Sequence, residues 1–329
     1  MAIAGAMENK MGLFGHFFGH DRENEAPGLQ FAIERAVSGV EPLLKQTNGY
    51  PENFRKPVAT ALEYAHSLAV SIPGPVLVDR ESYSKDAFVH VLFPDIDSIT
   101  EAICSSLALQ DYLRDFPTAN EVYALMGMRR FEKSMVGMEL SGQTIQRDVA
   151  QKVVYFTSHT LENPASSEQQ VRERAATSFF DSLVNNVKTK VAERKRGMQA
   201  LQLEKEMLMA RLRTANAPDR PALKDELDKT ISSMQSTIGS LELSHYTEVF
   251  ESVLLNPEQH LRLNQTPVIL DSMGIERTDG DANQANEFTF IELIGYDRRN
   301  WTVTMVRCDN LQSESFANRL EKAYRRLVL

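Results

Sequence analysis

Residues 180–212 read FDSLVNNVKTKVAERKRGMQALQLEKEMLMARL. At alternating steps of four and three, Phe180, Val184, Val187, Val191, Arg194, Met198, Leu201, Lys205, Leu208 and Leu212 fall on one line. Only Arg194 and Lys205 interrupt its apolar character. That spacing is a heptad seam, the narrow stripe by which one helix meets another. Past a break, Leu223, Leu227, Ile231, Met234, Ile238 and Leu241 repeat the pattern. Neither stripe holds the ~20 consecutive apolar residues that a membrane span needs, so two packed helices are expected.

The ends of the arms are marked by their chemistry. Ser166 and Gln169 have capping-box spacing, which satisfies amides that the first helical turn leaves free. Between the arms, Pro218 stops the first helix, Asp219 suits a cap, and Pro221 is tolerated in a first turn. From Glu168 to Arg213 there are ten Lys/Arg against six Asp/Glu; from Asp219 to Glu251 there are three against seven. A basic arm beside an acidic one favours antiparallel pairing, although each exposed ion pair adds only about 0.2–1 kcal/mol. At ~1.5 Å per residue, an arm of three dozen residues reaches roughly 50 Å. A narrow seam predicts a projecting hairpin; a broad stripe would instead lay both helices across the body.

Outside this stretch, the 329 residues have a formal net charge of −9. An acidic chain lacks the basic surface that supplies most nucleic-acid affinity, so no nucleic acid is expected as a partner. The local exception is Lys188, Lys190, Arg194, Lys195 and Arg196, which reads as a solvated helix face or a partner-binding patch. The two cysteines, Cys104 and Cys308, have no paired spacing, and no cleavable signal pattern is recognised. Both observations predict a reducing, cytoplasmic setting.

The N-terminal stretch 1–26 is expected to be flexible. Within it Leu13, Phe14, Phe17 and Phe18 share one helical face, the pattern of an anchor for a partner groove or a membrane surface. His16 and His20 are spaced for two metal ligands, but no third ligand can be named. Helical spacing then runs from Leu29 to about Val40, where Pro42 intervenes, and from Asn53 to Val70. Pro73-Gly74-Pro75 ends that helix. Residues 86–93 suit either strand or short helix, and Asp95 or Ser98 opens a helix expected to run to about Phe116. His66 and His90 read as core histidines.

From Glu121 onwards the composition turns to Val, Tyr, Met and Phe. Phe131–Leu140 and Gln143–Leu161 flank Ser141-Gly142, a turn that joins antiparallel strands. Met126, Met128, Met135 and Met138 read as core filler before binding surface. Pro257 and Pro267 bracket a stretch expected as short helix or loop. Phe288–Ile294 and Trp301–Arg307 form the clearest strand pair, with Trp301, Val303 and Met305 facing the core and Thr302 and Thr304 facing away. A last helix is expected from Ser313.

Catalytic patterns are sparse. Asp279-Gly280-Asp281-Ala282-Asn283 opens like a calcium loop, but Gln284 stands where Gly is needed and Phe290 where Glu is needed. No phosphate loop, nucleophile elbow or zinc-protease pattern occurs, and no stretch carries the motif of a known family. Tyr155, His159 and Glu162 form the one tight polar set, without a nucleophile.

The sequence therefore predicts an α+β fold, predominantly helical, with two antiparallel β-hairpins and a long antiparallel, coiled-coil-like helical hairpin. Its expected parts are 1–26, an α+β region at 27–165, the hairpin at 166–254, and a β-hairpin and helix at 255–329 packed with 27–165. The function expected is a non-enzymatic cytoplasmic interaction or scaffold protein, binding a protein partner or itself through the hairpin, with no cofactor and no metal. The alternatives are an enzyme with a site near His159, or a peripheral membrane protein using the N-terminal Phe-rich segment.

Overall fold

The structure is a computed structural model and describes residues 25–141, 144–238, 243–277, 285–296 and 299–311. It is a mixed helix-and-sheet protein. Helices α1 (Glu25–Val40) and α2 (Glu52–Ser71) precede a short strand β1 (Val76–Leu77). Four short helices follow, α3 (Ser82–Lys85), α4 (Ala87–Leu92), α5 (Ile96–Ser105) and α6 (Leu107–Asp115). Long strands β2 (Val122–Ser141) and β3 (Thr144–Ala165) lead into α7 (Glu168–Thr214), α8 (Arg220–Ile238) and α9 (Leu243–Leu254). Strands β4 (Leu261–Asp271), β5 (Ala285–Gly295) and β6 (Asn300–Cys308) complete the order. The N-terminal Phe-rich segment with His16 and His20, the tip at 142–143, Leu241, the calcium-like stretch at 279–284 and the expected last helix lie outside the described residues.

The described residues form two compact units: those up to Ala65 with those of Thr177–His260, and those of His66–Ala176 with those from Leu261 on. The first is helical. Pro42 has no amide to continue α1, and a 3-10 turn at Pro42–Gln46 takes over. Phe54 of α2 meets Phe250 of α9 edge-to-face with centroids 5.0 Å apart, and both rings are fully buried. Arg35 of α1 pairs with Asp181 of α7. Within this unit α7 changes character along its length. Phe179, Phe180, Leu183, Val184, Val187 and Val191 are all buried, a broad stripe. From Ala192 to Ser236, by contrast, the buried residues are Leu208, Leu223 and Thr230. Met198, Leu201, Lys205, Leu212, Leu227, Ile231 and Met234 are half-buried, all on the expected seam.

The second unit is built on one sheet of order β3-β2-β6-β5-β4, with β1 parallel to the far half of β6. All other named pairings are antiparallel. The sheet does not end at its edges. After β4, Ile275–Arg277 turns back: the Asp271 amide donates to Ile275 at 3.0 Å and the Arg277 amide to Ile269 at 2.9 Å. On its other side the Glu276 amide donates to Lys152 at 2.8 Å, and the Val154 amide donates to Gly274 at 2.9 Å. The two edge strands are thus joined and the sheet closes into a barrel-like curl. Its curvature brings Phe156 of β3 and Phe290 of β5 to 4.9 Å between centroids. On a flat sheet, three strand spacings of ~4.8 Å would hold those strands about 14 Å apart.

Helices α4–α6 fill one end of the curl. Val89, Leu92, Phe93, Ile99, Leu109 and Tyr112 share a core with Met126, Met128, Val154, Phe156, Phe288 and Phe290. The helix expected from Asp95 to Phe116 is broken at Ser106. Its hydroxyl donates to the Leu161 carbonyl of β3 at 2.9 Å and accepts the Leu109 amide at 3.2 Å, so one residue ends α5 and caps α6. Asp95 caps α5 as expected, its carboxylate 2.7 Å from the Ser98 amide. Residues 87–92 resolve to helix, capped by Asp86.

Two expectations are corrected here. The stretch between Pro257 and Pro267 is largely strand: β4 pairs with β5 along Leu261–Asp271, Pro267 included. An outer strand of the five-strand path tolerates the missing amide of a proline. Half of the facing expected for β6 is overturned: Val303 and Met305 are buried as expected, but Thr302 and Thr304 are buried too. Thr302 and Thr304 stand opposite the core residues Met128 and Met126, on the face that continues to Val306 and Cys308. Val303 and Met305 occupy the other face, which is buried as well. A central strand covered on both faces gives no polar alternation to read.

Candidate functional site

The expected polar set near His159 is divided by the sheet. Tyr155 stacks on Phe131, its cross-strand partner, with centroids 5.6 Å apart, and is exposed. Between Thr157 and Thr160 the register shifts, and Ser158 takes a φ of 55° at this bulge. His159 thereby turns towards the helices. Its ring stacks on Phe93 at 4.5 Å, and Nε2 donates to the Leu92 carbonyl at 2.8 Å. Burial pushes its pKa below the ordinary value, with the Leu92 hydrogen bond opposing in part. Glu162 is exposed and directly follows the core residue Leu161, so it projects from the opposite face. The three residues share no site.

The basic cluster lies along α7. Lys188, Arg194, Lys195 and Arg196 are exposed and Lys190 is half-buried. Lys195 is engaged: it pairs with Glu41 and lies 5.7 Å from the ring centre of Tyr246. The hydrogen bond to Glu41 raises its pKa. Lys190 shifts the other way, lowered first by burial and then by the neighbouring Arg194. The methionines divide. Met126 and Met128 are core, whereas Met135 and Met138 are exposed where β2 extends beyond its pairing with β6.

One charged array was not anticipated. Arg130 of β2 donates from Nη1 to Oε1 of Glu292 on β5 at 3.1 Å and from Nη2 to Glu132. Lys152 of β3 pairs with Glu132 at 2.7 Å and with Glu276 of the closing segment at 3.0 Å. These five charges lie on the concave face, where the helical filling has ended. Lys152 and Arg130 hold the Glu132 carboxyl below its usual range, Lys152 first, and both glutamates raise Lys152. A local signal existed: Arg130 and Glu132, two apart on a strand, face the same way as Met126 and Met128. It was missed because the strand was expected to begin at Phe131.

Among the described residues, no group of three or more His, Cys, Asp or Glu could hold a metal ion, and no helix is long and apolar enough to cross a membrane. The fold and these sites define the chain as an α+β protein with a closed sheet and one very long helix. Comparison with known proteins finds no matching family model, no matching curated protein and no matching solved structure.

Proposed function

We propose that the chain is a non-enzymatic interaction protein. It recognises a protein partner, or a second copy of itself, through an antiparallel, coiled-coil-like hairpin of α7 and α8 within residues 166–254. The observation that carries this reading is the change along α7 from a broad buried stripe to a narrow one. A helix that belongs to a core buries a wide face; one satisfied by a single partner helix buries only its seam. Beyond Val191 the seam residues other than Arg194 are buried or half-buried where their burial is described, while Leu203 and Met207 off the seam remain 59% and 57% exposed; Thr230 is buried off the seam. In this reading β2/β3 and β5/β6 are the two β-hairpins of the body. Both cysteines are buried and free, which fits a reducing, cytoplasmic location.

The test is to replace residues 192–237 with a short Gly/Ser turn and compare sedimentation and partner capture with the full chain. Loss of self-association or of a partner, with the body still folded, supports the proposal. Unchanged association removes it.

A further inference from the structure

The mouth of the closed sheet holds a cavity of about 270 Å³ lined by Arg130, Glu132, Thr266, Glu292, Asn300 and Thr302. These residues come from β2, β4, β5 and β6. Thr266 and Arg130 stand three strand positions apart and share a cavity only because the sheet curls. The next layer along the same face is apolar, with Met128 beside Arg130 and Phe290 beside Glu292. A polar hollow above an aromatic floor, walled by rigid strands, is the usual build of a small-molecule site in a barrel mouth.

We propose that this cavity binds a small organic ammonium ion. Its charge is the first reason. The guanidinium of Arg130 is already matched by Glu292 at 3.1 Å and by Glu132, so one cation faces two carboxylates in the wall. Including Lys152 and Glu276 adds one charge of each sign and leaves the balance negative. Among the described residues that line it, an anion would meet only a cation that is already matched and would face two carboxylates; a cation gains from both.

The second reason is Thr302. It is 3% exposed, it lines the cavity, and its hydroxyl has no hydrogen-bond partner among the described residues. Buried hydroxyls are ordinarily partnered, because an unmade bond carries the full cost of desolvation. An ammonium group supplies N–H donors to a threonine oxygen and to a carboxylate at once, and Thr266 and Asn300 extend the polar wall. A bare metal ion fits less well, since the described residues provide no set of three ligands. At this volume, just below the range of drug-sized pockets, the ligand is small. The inference goes beyond the interaction role and does not depend on the arm.

The experiment is titration of the ¹⁵N-labelled full chain with ethanolamine and with 1,4-diaminobutane, with acetate and glycerol as controls. At least one amine is expected to shift the Thr302 and Glu292 amides saturably, and acetate and glycerol are expected to leave them in place. Glu292→Gln should weaken the amine at least tenfold. Thr302→Val should weaken it severalfold while leaving the free protein at least as heat-stable, because the hydroxyl it removes has no partner to lose. If Glu292→Gln fails to fold, Thr302→Val decides. No saturable shift with either amine, equal binding by Thr302→Val, or tighter binding of acetate than of the amines would overturn the proposal.

Discussion

The amide of Val154 donates to the carbonyl of Gly274 at 2.9 Å, and that bond joins the edge strand β3 to the turn after the opposite edge. Gly274 makes the approach possible. Its φ is 72°, and a Cβ built there would lie 2.7 Å from the Val154 carbonyl oxygen, on backbone that cannot swing aside.

Gly274→Ala is therefore expected to destabilise the sheet unit. Backbone strain alone accounts for about 1–2 kcal/mol, and the clash opens the closure as well. The measurements are the urea midpoint and hydrogen exchange at Val154, whose amide should lose protection first. A wild-type midpoint with a protected Val154 would show that closure does not depend on this glycine.

Asp271 organises the same turn. Its Oδ1 accepts the Met273 amide at 2.9 Å and the Ile275 amide at 3.0 Å, while Oδ2 accepts Arg277 at 3.1 and 2.7 Å. Asp271→Ala leaves Arg277, with 19% of its side chain exposed, without that carboxylate. Breaking a buried pair from one side costs on the order of 3 kcal/mol. Chemical denaturation should show that loss, and Arg277→Ala in the Asp271→Ala background should cost much less than in the wild type. Additive losses would mean that the two side chains act independently.

His159 sets a pH dependence with a definite sign. Burial lowers its pKa in the folded chain, so the unfolded chain takes up a proton first as pH falls from the ordinary value of about 6.5. Stability from this group is complete above that value and declines towards the lowered folded value. His66 and His260 shift the same way, burial being the largest cause for each. His159→Gln should flatten part of the fall in unfolding free energy between pH 7.5 and 5. An unchanged slope would place the proton uptake elsewhere.

Much of the helical layer was legible because it depends on local chemistry. Pro42, Pro218, Asp95 and the run of apolar residues at three and four act within one or two turns of where they stand. The sheet was less legible because its decisive contacts are remote. Ser106 breaks a helix by bonding Leu161, fifty-five residues away. Pro267 resembled a loop because its tolerance depends on a place at the edge of the strand path. Thr302 and Thr304 resembled a solvent face because nothing local says that β6 is central. The Arg130–Glu292 pair spans 162 positions in sequence and exists only once the strands are ordered. The Tyr155–His159–Glu162 set failed for a related reason: a bulge at Ser158 changes which side each residue faces.

Two leucines test the hairpin reading. Leu208 lies on the seam and is 5% exposed, whereas Leu203, five residues earlier, is 59% exposed. Leu208→Ala should cost about 2–5 kcal/mol if its site stays rigid, and less if the arm collapses around the gap. Leu203→Ala should stay within about 0.5 kcal/mol. Exchange of the α7 amides beyond Val191 is the readout. Equal effects at the two positions would contradict a single seam.

The arm should be separable from the body. From Ala192 to Ser236 the buried residues are Leu208, Leu223 and Thr230, so on the proposed hairpin few positions are left to support the body. The basal stretch from Phe179 to Val191 is broad and belongs to the helical core, so a cut must spare it. Replacing residues 192–237 with a short Gly/Ser turn joins the chain above that base. The replacement also removes Lys195 and leaves the buried Glu41 without that cation, a cost that Glu41→Gln in the shortened chain removes. The shortened chain should unfold in one cooperative step near the wild-type midpoint, because a self-contained element contributes little to the core it leaves. Aggregation, or a urea midpoint lowered by about 1 M or more, would assign these helices to the core. Cooperative unfolding with every association intact would leave the arm dispensable, and the cavity at Thr302 would become the principal site of the molecule.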